Sequence, residues 1–175
     1  MLTAEKINAC IRTIPDFPKP GIHFKDITPL LQNSALCEEI IEDMAKEYKN
    51  KIDVICGIES RGFFFGFGLA CKLHIPFVPI RKEGKLPFHK IRQAYDLEYG
   101  NASIEIHRDA FTTGSRVLVH DDLLATGGTA HAAAQMINTL GGNIYAFSFI
   151  IELVSLAGQS QLAIYNVPVH SLVKY

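Results

Sequence analysis

The stretch "RVLVHDDLLATGGT", residues 116–129, constrains the fold more than any other part of the chain. Its valines and leucine read as a buried strand that ends at two consecutive acids, Asp121 and Asp122. A Gly/Thr-rich turn then opens a helix that runs from about Gly128 to Leu140. A strand, a tight turn and a helix in that order aim several main-chain N–H groups and the positive end of the helix at one point, which favours an anion. The pattern G-x-x-x-x-G-K-[ST] is absent, so a monophosphate suits the turn better than a nucleoside triphosphate. Ala125, Thr126, Gly127, Gly128 and Thr129 build it. The threonines add hydroxyl donors and the glycines let the backbone come close.

Asp121 and Asp122 cannot face that phosphate without repulsion, so they need donors or a cation. A ribose 5-phosphate supplies both parts of the answer. Its phosphate enters the turn while its vicinal hydroxyls donate to the carboxylates upstream. The acids then also sit near the anomeric carbon, where positive charge develops as a leaving group departs. Two alternatives are an acidic pair that caps a helix and a phosphoacceptor aspartate of a signalling receiver domain. Both leave the Thr-Gly-Gly-Thr arrangement without a role.

The remaining elements imply an α/β fold with a mostly parallel twisted sheet flanked by helices. "SALCEEIIEDMAKEYK" has helical spacing, with Ile40, Ile41, Met44 and Ala45 on one side. "IDVICGI" and "IPFVPI" read as buried strands, with the apolar helix "RGFFFGFGLACKLH" between them. "SIEIH" is a candidate strand, and "IYAFSFIIEL" is the last long one. Ligands of such sheets bind at the carboxyl ends of the strands. A short N-terminal helix precedes "PDFPKPGIHFKDITP", whose prolines suggest an ordered hood over residues 1–32. From "RKEGKLPFHKIRQAYDLEYG" onward no period of 2 or 3.6 persists, so residues 82–105 read as a flexible lid loop. At 175 residues a single domain, 1–175, is expected, able to bury roughly 70% of its unfolded surface.

Lys and Arg total 17 against 18 acids, which gives no general reason for nucleic acid or an anionic membrane as partner. The opening "MLTAEKINACIRTIPDF" lacks the basic-then-apolar order of a secretory leader, and no apolar run is long enough to span a bilayer. Cys10, Cys37, Cys56 and Cys71 show no metal-binding spacing. A cytoplasmic protein with reduced thiols is expected. Six of the seven histidines, together with Asp96, Asp109 and Glu105, read as ordinary surface or core residues.

"VLVHDDLLATGGT" closely resembles the phosphoribosyl-pyrophosphate motif of type I phosphoribosyltransferases. "FPKPGIHFKDITPLL", "GIESRGFFFG", "IRKEGKLP" and "DLEYGNASIEIHRDA" are similar, in order and spacing, to the adenine phosphoribosyltransferase family. The resemblance covers nearly the whole chain. It implies adenine and phosphoribosyl pyrophosphate as substrates, AMP and pyrophosphate as products, and a cytoplasmic homodimer. It also implies Mg²⁺ held mainly by substrate oxygens and water, with no dedicated protein metal site.

The resemblance assigns Glu59, Ser60 and Arg61 to the pyrophosphate loop, and Arg81 and Lys85 to the same diphosphate. It makes Glu98 the catalytic carboxyl, with Tyr99 and Arg61 beside it in catalysis. Asp121, Asp122 and the Ala125–Thr129 turn take ribose and its 5-phosphate. Phe24 and Leu153 would stack on the two faces of adenine, and the backbone near His23 and Lys25 would read its edge. Glu59 stands where many relatives carry Asp. Likewise His23 and Lys25 replace an apolar residue and Arg. Ala125 occupies the place where the hypoxanthine-guanine branch carries an acid able to act on a 6-oxopurine, which favours adenine. Regulators that only sense the donor would lack the lid residues and carry a basic arm.

Overall fold

The computed structural model describes residues 4–96 and 101–175. The chain divides into two compact units, Met1–Glu47 and Tyr48–Tyr175. In the first, helix α1 (Ala4–Ala9) precedes a two-stranded antiparallel hairpin of β1 (Arg12–Pro15) and β2 (His23–Asp26), with Ile14 opposite Phe24. The hairpin turn is closed by the Gly21 N–H, which donates to Asp16 Oδ1 at 2.7 Å. Prolines 15, 18 and 20 hold the strands to four residues each, so the expected loop is a short hairpin instead. Asp26 Oδ1 accepts from the Thr28 N–H at 2.9 Å and starts the single turn α2 (Thr28–Leu31). Helix α3 (Ser34–Tyr48) buries Ile40, Met44 and Ala45 of the face its spacing predicts, leaves Ile41 half-buried, buries Leu36 as well, and ends on the first residue of the second unit.

The second unit is built on a seven-stranded sheet. Its strands are β3 (Val54–Ile58), β4 (Phe77–Lys82), β5 (Lys90–Asp96), β6 (Asn101–His107), β7 (Arg116–Leu124), β8 (Asn143–Glu152) and β9 (Val169–Lys174), in the order β5-β6-β4-β3-β7-β8-β9. Strands β4, β3, β7, β8 and β9 are parallel, β6 extends the sheet antiparallel to β4, and β5 pairs antiparallel with β6 at the edge. The central strands are short, β-branched and buried on both faces, as parallel strands covered by helices require. Helix α4 (Gly62–Leu73) covers one face. Helix α5 (Gly128–Thr139) covers the other, where Ala130, Ala132, Ala133 and Ala134 let it sit close against Val54, Val117, Val119, Ile104, Ile106 and Phe147.

Three local readings differ from the sequence expectation. Strand β7 continues through both acids to Leu124 instead of stopping at Asp121. Residues 90–96 form β5, paired along β6, where the sequence shows no period. An edge strand with polar side chains toward solvent carries no apolar alternation to read. The third is β9, a parallel strand of mostly half-buried residues beyond the last strand expected. Among the described residues no helix is long and apolar enough to cross a membrane.

Candidate functional site

The β7–α5 turn has the geometry its composition requires. Gly127 caps α5 with φ +87°, a left-handed backbone that strains any other L residue. A Cβ there would also stand 2.7 Å from the Gly158 carbonyl oxygen. No side chain caps α5, and its first turn holds no acid, so the orphan N–H groups of that turn stay available. The turn opens on a hollow of about 310 Å³, partly continuous with solvent, lined by Asp121, Leu124, Thr126, Gly127 and Thr129 among others.

Asp121 and Asp122 stand directly upstream. Asp121 lines the hollow, and its Oδ1 is turned back to accept the Asp122 N–H at 2.8 Å. Asp122 is 3% exposed, with Oδ2 3.0 Å from Arg61 Nε. That ion pair is not a directed hydrogen bond, and Asp122 Oδ2 has no hydrogen-bond partner. Burial pushes both carboxyls above the usual range; for Asp121 the neighbouring Asp122 charge adds to it, while Arg61 pulls both back. One guanidinium therefore acts on both acids, on the buried Asp122 by contact and on the half-buried Asp121 through its charge. Helix α4 approaches them because Gly62 has no side chain: a Cβ there would lie 2.9 Å from Asp121 Oδ1 and from the His120 carbonyl.

The neighbouring loops bring cations to the same ends of the strands. Ser60 is exposed and Arg61 half-buried, between the end of β3 and the start of α4. Glu59 is committed to Arg81: its Oε2 lies 2.8 Å from Arg81 Nε and accepts the Lys82 N–H at 2.9 Å. The Arg81 hydrogen bond, assisted by the Lys82 N–H, holds the Glu59 carboxyl below its ordinary range in spite of burial. Glu59 thus fixes a guanidinium at the end of β4. Lys85 is exposed and, among the described residues, has no ion-pair partner.

The residues expected to hold a base lie on separate units. Phe24, on β2, meets Phe17 edge-on at 5.2 Å; the same strand carries the exposed His23 and also Lys25, whose Nζ donates to Thr13 Oγ1 at 3.0 Å. Leu153, just past β8, is half-buried, and its N–H donates to the Leu124 carbonyl, which ties that segment to the end of β7. Glu98 and Tyr99 fall outside the described residues. Sequence reasoning passed over two side chains. His120 is fully buried beside α4 with neither ring nitrogen hydrogen-bonded, and burial lowers its pKa to about 4, only partly opposed by the main chain of Ser148. Glu105 is 3% exposed and ion-paired to Lys90 at 3.1 Å. Its position between two buried isoleucines on a strand was the available signal.

A family model described as phosphoribosyl transferase domain matches residues 24–166. The chain is 52% identical over 166 residues to the adenine phosphoribosyltransferase of Roseiflexus sp. (strain RS-1), covering 94% of this chain and 95% of the other. Among solved structures, adenine phosphoribosyltransferase from Thermoanaerobacter pseudethanolicus superposes with a TM-score of 0.94 at 47% identity, over 99% of this chain and 100% of that one. The Saccharomyces cerevisiae enzyme, complexed with adenine and an imino-altritol bisphosphate, superposes with a TM-score of 0.91 at 39% identity, over 97% of this chain and 98% of that one.

Proposed function

The chain belongs to the phosphoribosyl transferase domain family, and from that premise we propose that it transfers the 5-phosphoribosyl group from phosphoribosyl pyrophosphate to adenine, forming AMP and pyrophosphate in purine salvage. The observation that carries the reading is the uncapped N-terminus of α5 placed directly after the half-buried Asp121 and the buried Asp122, whose carboxylate pairs with Arg61. Amides of residues 125–129 take the 5-phosphate. Asp121 and Asp122 accept the ribose hydroxyls, which supply the donors that Asp122 Oδ2 lacks in the protein. Sugar binding relieves the cost of two desolvated carboxylates, and their charge then faces the anomeric carbon as it becomes cationic.

Attack by N9 of adenine on that carbon breaks its bond to pyrophosphate. Arg61, Arg81 and Lys85, with the backbone at Glu59 and Ser60, receive the leaving group. Glu98 exchanges a proton with the purine, and Tyr99 holds the lid that excludes water from the activated sugar. On the hairpin, Phe24 offers its ring to stack on the base and main-chain groups at His23 and Lys25 read its edge; just past β8, Leu153 offers an apolar side chain to the purine. Ala125 leaves no acid beside the turn to serve a 6-oxopurine. Among the described residues no three His, Cys, Asp or Glu side chains gather to hold a metal, and the orphaned Asp122 oxygen is an anionic acceptor at the site. Mg²⁺ brought in on donor oxygens and water fits that arrangement, and it would spread the charge of the departing pyrophosphate.

Two aromatic residues on α4, Phe64 at 52% and Phe67 at 58% exposure, support the expectation of a homodimer, since one face of the helix is too apolar for water. Cytoplasmic residence is consistent with four free cysteines. The deciding assay supplies Mg²⁺, phosphoribosyl pyrophosphate and one purine at a time. AMP formed from adenine, with no nucleotide from hypoxanthine or guanine, supports the reading; a 6-oxopurine product overturns it.

A further inference from the structure

The charges on one face of β4, β6 and β5 are sorted into pairs. Arg81 and Arg92 flank Glu105 as its register partners on either side, and Lys90 is its diagonal neighbour. Arg81 is held by Glu59, Arg92 by Glu83 and Lys90 by Glu105. Lys85 has no such partner among the described residues, although it sits in the same turn.

That turn is pinned from beneath. Ile104 and Ile106 enter the core, so Glu105 between them points to the opposite face, where it is 3% exposed. A carboxylate this buried needs a cation beside it, and because Glu105 Oε2 accepts no directed hydrogen bond the Lys90 ion pair is what holds it. Lys90 Nζ lies 3.1 Å from Glu105 Oε2 and donates to the Leu86 carbonyl at 2.7 Å. Lys90, helped by the nearby main chain of Gly84 and Leu86, outweighs burial and keeps the Glu105 carboxyl below its ordinary range. Lys90 thus bridges Glu105 and the Leu86 carbonyl. On the other side of Lys85, the Lys85 N–H donates to the Lys82 carbonyl at 3.2 Å, and Arg81 Nη1 lies 3.4 Å from the Lys85 carbonyl.

We propose that Glu105, through Lys90 and the Gly84–Leu86 backbone, is a positioning residue that presents the Lys85 ammonium to the diphosphate of the donor. This rests on the function proposed above. A lysine on a loose turn pays side-chain and backbone entropy each time it meets an anion; the staple removes the backbone share before the substrate arrives. Glu105 itself touches no substrate.

The test is a double-mutant cycle of Glu105→Gln and Lys85→Met, read as the inhibition constant for pyrophosphate, the KM values for phosphoribosyl pyrophosphate and adenine, and kcat. Glu105→Gln should raise the pyrophosphate and donor constants about 5- to 10-fold and leave the adenine KM within about twofold. In the Lys85→Met background the same change should have almost no further effect, because the group it positions is gone. Equal effects in both backgrounds would overturn the proposal, as would a uniform loss in all constants that follows the fraction folded. Should Glu105→Gln fail to fold, Lys90→Met carries the same cycle, and Lys90→Arg should restore affinity. If the unaltered protein forms no AMP, the functional reading fails first; an active protein with an additive cycle rejects the staple alone.

Discussion

At the end of β7 the half-buried Asp121 and the buried Asp122 have one guanidinium between them, paired to Asp122, whereas across β4, β6 and β5 Arg81, Arg92 and Lys90 each have a carboxylate of their own. Each cation of that face has its own carboxylate, although Glu105 Oε2 accepts no directed hydrogen bond, and Arg81 and Lys90 also donate to backbone carbonyls. The acid pair is left short of donors, and both of its carboxyls take up protons more readily than ordinary ones. A region whose charges are paired one to one is built to position, and a region where two acids face one cation is built to bind, because a ligand can supply the missing partners.

The largest effect expected from breaking this contrast is on turnover. Replacing Asp121 and Asp122 by Asn should cost about 1.5–3 kcal/mol for each charge-assisted hydrogen bond lost in the transition state, seen in steady-state kinetics chiefly as lower kcat. Stability should move the other way for Asp121→Asn. A carboxyl whose pKa is raised by folding stabilises at low pH and loses that contribution as pH rises through the raised value, so removing its charge should increase the melting temperature at pH 7. A lower melting temperature, with unchanged kinetics, would mean the acids are structural.

His120 gives the next effect, on stability alone. Its pKa is lowered by burial to about 4 from an ordinary 6.5, so its contribution is intact above pH 6.5 and is lost as pH falls toward 4, by about 3 kcal/mol. Urea titrations at several pH values should show a shallower acid slope in His120→Leu than in the parent. The same slope in both would show that protonation of this ring does not govern acid unfolding.

Gly127→Ala should destabilise by about 1–2 kcal/mol from its left-handed backbone alone, and weaken phosphate binding by displacing the turn from Gly158. Denaturant midpoints with and without ribose 5-phosphate separate the two losses; an unchanged ligand shift would remove the turn from the phosphate site. The smallest effect belongs to the pair Asp53–Arg116, whose side chains are nearly half exposed and lie 2.7 Å apart. Arg116→Ala there should lower the melting temperature only slightly and leave kcat unchanged. A fall in kcat would show that loss of any ion pair on this sheet disturbs the site.

Much of the site was legible in sequence because its chemistry lies in contiguous stretches. The turn 125–129, the acids before it and the Glu59–Arg61 loop are each local, and strand and helix periods place them at one end of a parallel sheet. Glu105 and His120 were not legible. A single carboxylate or imidazole between apolar neighbours looks the same whether a distant turn covers it or water does. Strand β5 escaped for a related reason, since an edge strand's polar faces erase the alternation that reveals other strands.

By itself the sequence determined the order of the central strands and their helices, a glycine turn after β7 and the placing of two acids before an anion cradle. Those follow from propensity, periodicity and the backbone freedom of glycine, which act over a few residues. Tertiary structure alone decided that Asp122 shares Arg61, that Glu59 is committed to Arg81, and that Glu105 underpins Lys85. Burial and ion pairing depend on which surfaces meet, and neither is encoded by neighbours along the chain.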